Sequence, residues 1–180
     1  MKNLFIIAVA VCMLAMAACE SKNVKETEST TAAYTLPDDS AITKAVHDAY
    51  QAISFKKGEQ PRYNEIKNYF SPQAQLINYR NDTAQVTTIG QFIDLYKNFK
   101  ETTHIEAFYE EELYGKTEQF GRIAHRISTY KTYINNMDTI AERGVNSFQL
   151  IKLKEGWKVS SIIWDVEKPG LPVPVYYLKK

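Results

Sequence analysis

The clearest fold signal in the sequence is Gly144-Val-Asn-Ser-Phe-Gln-Leu-Ile-Lys-Leu-Lys-Glu-Gly-Trp-Lys-Val159. It lies within two runs rich in β-branched and aromatic residues, 141–153 and 157–166, which flank the short turn sequence Glu155-Gly156. Such runs on either side of a glycine-containing turn are typical of two antiparallel strands. The stretch therefore predicts a β-hairpin near the end of the chain.

Two more runs of similar composition precede this hairpin, at residues 104–114 and 121–134. Turn-forming residues separate them, with Gly115 between the two runs and Asn135-Asn136-Met137-Asp138 before the hairpin. Four long strands joined by short turns indicate an antiparallel sheet.

Helical patterning dominates the chain before these strands. From Ile42 to Ile53, apolar side chains recur at the spacing of one helix face. A second, short helix is predicted over residues 63–70, where Ser71-Pro72 ends it, and residues 74–79 are predicted to be extended.

A third helix is predicted to begin at Thr88-Ile-Gly-Gln91, which fits the capping-box pattern. Three helices combined with an antiparallel sheet indicate an α+β domain, which we place at residues 39–168. The Pro-rich tail, residues 169–180, cannot pair as an interior strand and is expected along an edge or on the surface.

The order of elements resembles the nuclear-transport-factor-2-like superfamily, which includes SnoaL-like cyclases and ketosteroid isomerases. Three stretches carry the resemblance: Asn68-Tyr-Phe-Ser-Pro-Gln-Ala74, Arg122-Ile-Ala-His-Arg-Ile-Ser-Thr-Tyr130 and the hairpin quoted above. The resemblance implies a cystatin-type α+β roll, in which a strongly curved antiparallel sheet wraps its concave face around the helices. It also implies a cone with a pocket at its open end, and homodimers formed through the sheet.

The N-terminus predicts where the protein is located. An apolar run at residues 4–18 follows a short positive start and ends in Met16-Ala17-Ala18-Cys19. The run is too short to span a bilayer comfortably, and it resembles a bacterial lipoprotein signal. We expect a signal peptide over 1–18, lipid on Cys19 and a flexible polar tether over 19–38. The alternative is an ordinary secretory signal cleaved near Ala18.

A lipidated Cys19 implies a protein of the cell envelope, anchored to a bacterial membrane on its outer-membrane or periplasmic side. The chain has 22 basic and 21 acidic residues, and loss of Lys2 with the signal leaves it formally neutral. A neutral chain has no electrostatic footprint for nucleic acid. We therefore expect the membrane as a partner through lipid, and no nucleic acid.

The folded part has no thiol chemistry, because Cys12 leaves with the signal and Cys19 takes lipid. His47, His104 and His125 show no metal-ligand spacing, so neither a metal nor another cofactor is expected. The sequence also lacks a glycine-rich phosphate loop and the elbow of a serine nucleophile.

Tyr50 lies on the apolar stripe of the first helix, where the isomerase branch of the superfamily could place an oxyanion donor. The resemblance assigns the catalytic base to the strand after the second helix. That strand reads Gln75-Leu-Ile-Asn-Tyr79 and has no carboxylate. This departure disfavours isomerase chemistry and favours Tyr50 as a core aromatic with a satisfied hydroxyl.

His125 and Arg126 point to opposite faces of their strand, because side chains alternate along a strand. Hydropathy favours the His125 face inside. By resemblance to the association domain of calmodulin-dependent kinases, Arg126-Ile-Ser-Thr-Tyr130 instead places Arg126 in the pocket. An inward Arg126 would favour an anionic ligand, unless it is neutralised by a carboxylate, for which Glu106, Glu142 and Asp165 are the candidates.

Nine residues are predicted pocket candidates on these grounds: Tyr50, Tyr109, His125, Arg126, Tyr130, Asn146, Phe148, Trp164 and Asp165. No catalytic residue is assigned. The run Glu110-Glu-Glu112 is interpreted as a solvated rim.

Three functions remain open. The first is non-catalytic binding of a small, partly apolar or anionic ligand. The second is an isomerase, cyclase or dehydratase that draws an acid–base pair from His125, Asp165 and tyrosines. The third is a dimerisation or docking module whose cone is filled by side chains. An open cavity would favour the first two, and the absence of His125 and Asp165 from it would disfavour the enzyme.

Overall fold

The computed structural model describes residues 36–178 of the 180-residue chain. The predicted signal peptide, Cys19 and the tether up to residue 35 lie outside these residues. In chain order, the described elements are α1 (Asp39–Ile53), α2 (Tyr63–Ile66), β1 (Phe70–Asn78), β2 (Gln85–Thr88), α3 (Ile89–Thr103), β3 (Phe108–Phe120), β4 (Ile123–Ile134), β5 (Glu142–Leu153) and β6 (Gly156–Val166). Short 3₁₀ helices at Lys67–Tyr69 and Val175–Tyr177 accompany them.

Helices α1 and α3 form where the sequence pattern predicts them. The apolar stripe of α1 is buried. The capping box at the start of α3 is present, with Thr88 Oγ1 accepting from the Gln91 amide at 3.3 Å and Gln91 Oε1 accepting from the Thr88 amide at 2.9 Å. The predicted second helix is shorter, because β1 already begins at Phe70. Within residues 36–178, no helix is long and apolar enough to cross a bilayer.

The six strands form one curved, unclosed sheet in the order β2-β1-β6-β5-β4-β3. The predicted α+β class and the packing of three helices on this sheet are confirmed. Strands β3 to β6 are antiparallel neighbours, as predicted. One pair differs, because β1 lies parallel to β6 and thereby joins the first strand of the domain to the last.

The turn predicted at Gly115 is wrong, because β3 continues through it and the chain turns at Gly121. Gly115 is needed for a different reason. A Cβ atom there would lie 2.1 Å from Nη2 of Arg126, whose side chain crosses over the glycine. A glycine is therefore needed at position 115 because the Arg126 side chain occupies the space that a side chain would fill.

Even-numbered residues of β4 face the helices, which is the opposite of what hydropathy alone favours. Arg126, Ser128 and Tyr130 are buried on that face, whereas His125 and Ile127 on the other face are half-buried. Across the sheet, Phe148 and Leu150 of β5 continue the same inner face. The core lies between this face and α1.

The described part of the tail, up to residue 178, lies on the outer face of the sheet, in agreement with the surface position expected for it. The Thr129 hydroxyl donates to the Tyr177 carbonyl at 2.7 Å, and the rings of Tyr114 and Tyr177 are 6.2 Å apart. Thr129 is fully buried by this contact although its side chain points away from the helices.

Replacing Gly115 by alanine should destabilise the domain by about 1–3 kcal/mol, because the added methyl group displaces the Arg126 guanidinium from its partners. Gly90→Ala is the matched control. It adds the same methyl group where the nearest atom is 4.0 Å away, so it should cost nothing. Urea unfolding of the two variants measures the difference, and equal stabilities would contradict the role given to Gly115.

Candidate ligand-binding cavity

A cavity of about 500 Å³ lies between the helices and the inner face of the sheet. Helices α1 and α3, together with all six strands, supply its walls. Its rim includes Leu95 and Phe99 of α3, which are 44% and 40% exposed. The cone predicted from the resemblance is therefore open and not filled.

Most of the wall is apolar because it consists of inward strand positions and the inner face of α3. The apolar and aromatic residues of this wall include Phe70, Leu76, Phe92, Tyr96, Phe108, Phe148 and Ile162. The Tyr96 hydroxyl donates to the Ile53 carbonyl at 2.5 Å and is thereby satisfied within the wall. Burial raises the Tyr96 pKa above its usual range, so this hydroxyl stays protonated.

A buried polar cluster lies at the wall formed by α1, β4 and β5. Asn146 Nδ2 donates to the Tyr50 hydroxyl oxygen at 2.8 Å, and that hydroxyl is 2.7 Å from Ser128 Oγ. Burial raises the pKa of Tyr50 well above its ordinary value, so it remains a neutral phenol. Both of its hydrogen-bonding partners are protein groups, which fits the alternative of a structural aromatic with a satisfied hydroxyl.

The acidic wall of the cavity is a row across three strands. Thr132 of β4 pairs in register with Glu110 of β3 on one side and Glu142 of β5 on the other. Side chains at directly paired positions are close, so the sheet itself brings the two carboxyl groups near each other. All three residues line the cavity.

Glu142 in this row is paired with an arginine. Both of its carboxylate oxygens accept from the Arg80 guanidinium, the Nη2–Oε1 contact being 2.9 Å, and Oε1 also accepts from the Tyr130 hydroxyl at 2.9 Å. Bidentate guanidinium–carboxylate pairs of this kind are the strong ones. Burial raises the pKa of Tyr130 above its usual range, so its hydroxyl remains a donor.

Glu110 is held less completely. Its Oε2 accepts from the Thr132 hydroxyl at 3.0 Å, and this is the one hydrogen bond that its carboxyl group makes with residues 36–178. The pKa of Glu110 is raised from 4.5 to about 8, mainly by burial; the nearby Glu142 adds to the rise, while Thr132 and Arg80 oppose it. At neutral pH the Glu110 carboxyl group is therefore protonated and uncharged in most molecules.

Five of the nine predicted residues line this cavity, namely Tyr50, Tyr130, Asn146, Phe148 and Trp164. The other four do not line it. His125 Nε2 lies 3.0 Å from Ser147 Oγ on the outer face, and the Tyr109 hydroxyl donates to Glu111 Oε2 at 3.3 Å. Asp165 Oδ1 accepts from the Val166 amide at 2.7 Å.

Arg126 points inward but is already neutralised. Its Nε and Nη2 donate to the two carboxylate oxygens of Glu112, at 2.9 and 2.6 Å, and Nη1 donates to Thr117 Oγ1 at 2.5 Å. Arg126 is therefore neutralised by a carboxylate, as the salt-bridge alternative predicts, but the partner is Glu112 and none of the three predicted carboxylates. A guanidinium whose charge is already balanced by the Glu112 carboxylate does not favour an anionic ligand.

Sequence reasoning missed the acidic wall because Glu110-Glu-Glu112 was interpreted as a solvated rim, which is wrong for two of its members. Glu110 faces the cavity and Glu112 faces Arg126, and only Glu111 points outward, to Lys131 Nζ at 2.8 Å. Strand alternation could have indicated that Glu110 and Glu112 share a face. Among residues 36–178, no group of three or more His, Asp or Glu side chains is arranged to hold a metal ion.

Solved structures show what this architecture resembles. An NTF2-like protein of unknown function from Shewanella baltica is 18% identical over 75% of this chain and 99% of its own, with a TM-score of 0.53. A cystatin-like-fold protein from Nostoc punctiforme is 12% identical over 77% and 96%, with a TM-score of 0.59. A protein from Novosphingobium aromaticivorans, provisionally named a scytalone dehydratase, is 11% identical over 72% and 83%, with a TM-score of 0.57.

No protein-family model matches the sequence, and no curated protein matches it either. At these identities the solved structures establish the fold alone. The nuclear-transport-factor-2-like architecture expected from the sequence is confirmed.

The raised Glu110 pKa predicts how stability depends on pH. Between pH 4.5 and about 8 the folded state keeps a proton that the unfolded state releases, so stability should fall as pH rises, by at most about 1.4 kcal/mol per pH unit. Glu110→Gln should flatten this loss, and Glu111→Gln should leave it unchanged. Urea unfolding at pH 5 and pH 8 provides the measurement, and parallel losses in all three proteins would contradict the assignment.

Proposed function

We propose that this protein is a lipid-anchored envelope protein whose cavity binds a small, partly apolar molecule without covalent chemistry. The open cavity of about 500 Å³ is the observation that carries the proposal. A predominantly apolar wall with a few convergent polar groups is the usual composition of a small-molecule site. This cavity has that composition, with Tyr50, Asn146 and the acidic wall as its polar groups.

The two arginines at and near the cavity indicate the ligand class, because each is already paired with a carboxylate. Arg126 is paired with Glu112, and Arg80 at the cavity wall is paired with Glu142. Binding an anion would have to break one of these pairs and leave a carboxylate without its partner. The partly apolar ligand is therefore favoured over the anionic one.

The docking-module hypothesis predicts a cone filled by side chains, and the open cavity speaks against it. Homodimerisation through the sheet is still part of our proposal, because it does not require a filled cone. The tail already covers Thr129 on the outer face, so it would form part of such an interface or border it.

A second candidate function is proton transfer in the cavity, favoured by Glu110. Neither His125 nor Asp165 lines the cavity, so the acid–base pair predicted from the sequence is not brought together. Glu110 does line it, and its pKa of about 8 lies close to neutral pH, where a general acid or base works best. A structural neighbour provisionally named a dehydratase fits this candidate without establishing it.

A cavity-filling substitution tests the binding proposal. Ala49 is buried on α1 and lines the cavity, whereas Ala41 is exposed on the same helix. With the neutral fluorescent probe N-phenyl-1-naphthylamine, Ala49→Leu should weaken binding about tenfold or more by occupying ligand space, and Ala41→Leu should change nothing. Fluorescence titration measures both affinities.

Equal probe affinity in the two variants would overturn the proposal, as would no binding to the unmodified protein. Native mass spectrometry of the purified protein adds an independent readout of a retained ligand and of the oligomeric state. Recovery of that ligand unchanged after incubation supports binding, whereas its conversion to an isomer or a dehydrated product supports the proton-transfer candidate.

The anchor is tested separately, since it rests on the sequence. Cys19→Ala should abolish lipid attachment and release the protein from the membrane fraction, whereas Cys12→Ala should keep it there because that thiol is lost with the signal. Mass spectrometry of the mature N-terminus and membrane fractionation give the result. A Cys19→Ala protein that stays in the membrane fraction would contradict the anchor.

A further inference from the structure

One carboxyl group in the wall of the cavity has no cationic partner among the described residues. Among residues 36–178, its lining side chains with ordinarily charged groups are Arg80, Glu110 and Glu142. Arg80 forms a bidentate pair with Glu142, so these two neutralise each other. Glu110 is left without a cation of its own.

The surroundings of Glu110 provide no substitute for that cation. The ionisable groups that act on it from the packed elements, or that lie beside it on its own strand, are Tyr50 of α1, Tyr96 of α3, Tyr130 of β4, Glu142 of β5, Arg80 after β1 and Glu112 of β3. The tyrosines are neutral and hydrogen-bonded to protein groups. Each carboxylate in this set is already paired with an arginine.

The free bonding capacity of Glu110 is directed into the cavity. Thr132 occupies Oε2, and no side chain of the described residues bonds to Oε1. Among residues 36–178, Trp157 Nε1 is the one buried side-chain polar atom without a partner, so the unbonded Oε1 of Glu110 is accessible. Because Glu110 lines the cavity, that space is where a ligand would lie.

We propose that the cavity selects a ligand with a protonated amine at one end and an apolar body, and that the ammonium group binds the Glu110 carboxylate. This inference rests on the proposed small-molecule binding function. The ammonium supplies the missing cation and donates to Oε1, while the aromatic and aliphatic wall takes the body of the ligand. A charge-assisted hydrogen bond to a carboxylate is stronger than one between neutral groups.

Binding of this kind must release a proton. At pH 7 Glu110 is mainly the neutral acid, whereas an alkylammonium group is already protonated. To form the pair, Glu110 gives its proton to the buffer and the ammonium keeps its own. About one proton should therefore leave for each ligand bound, and a neutral ligand should cause no such release.

Three probes of similar size separate the ligand classes: 2-phenylethylamine, 2-phenylethanol and 3-phenylpropanoate. Calorimetric titration of the purified protein at pH 7 should show the amine binding about tenfold or more tightly than the alcohol, and the carboxylate binding most weakly. Repeating the amine titration in buffers of different ionisation enthalpy gives the number of protons released.

Glu110→Gln should remove both the preference for the amine and the proton release while leaving alcohol binding in place. Glu111→Gln, one position along the same strand but on the outer face, should retain both. The alcohol matching or exceeding the amine in the unmodified protein would overturn the inference and leave the binding proposal standing. If none of the three probes binds, the inference is overturned, and loss of N-phenyl-1-naphthylamine binding as well would overturn the proposed function.

Discussion

The ion pair between Arg126 and Glu112 is the constraint on which the inner face of the sheet depends. A guanidinium buried to this extent must have a carboxylate in reach, and Glu112 supplies both of its oxygens from the neighbouring strand. Once Arg126 faces inward, strand alternation places Ser128, Tyr130 and Thr132 inward as well. The polar cluster and the acidic wall thus follow from the direction of one side chain, and Gly115 provides the space that the side chain needs.

Three carboxyl groups of strands β3 and β5 face inward, and they differ in the partners that they have. Glu112 and Glu142 each form a bidentate pair with an arginine, whereas the Glu110 carboxyl group has only a hydroxyl donor, and burial raises its pKa to about 8. Glu110 differs from Glu112 and Glu142 because it is removed from water without an arginine partner. Under the binding proposal, the carboxyl group without an arginine is also the one that would let the cavity distinguish one ligand from another.

The features that could be predicted from the sequence are local ones. The hairpin around Gly156, the helix at 39–53 and the capping box at Thr88 each depend on residues close together in the chain, and each is present. The direction of β4 was harder, because hydropathy ranks Ile127 above Arg126 and cannot register that a distant carboxylate neutralises the arginine. Arg80 and Glu142 were missed as a pair for the same reason, since only the assembled sheet brings them together.

The parallel pairing of β1 with β6 has a consequence for how the domain folds. Phe70 lies in register with Val159 and Asn78 with Trp164, so the first strand must wait for the last one before the sheet is complete. Contacts between such distant parts of a chain form slowly, because a large loop must be ordered before they stabilise anything. Leu76 and Ile162, which both line the cavity, are paired with each other across these two strands. A chain interrupted before residue 156 would therefore lack the β6 wall of the cavity, however well its helices and central hairpins had formed.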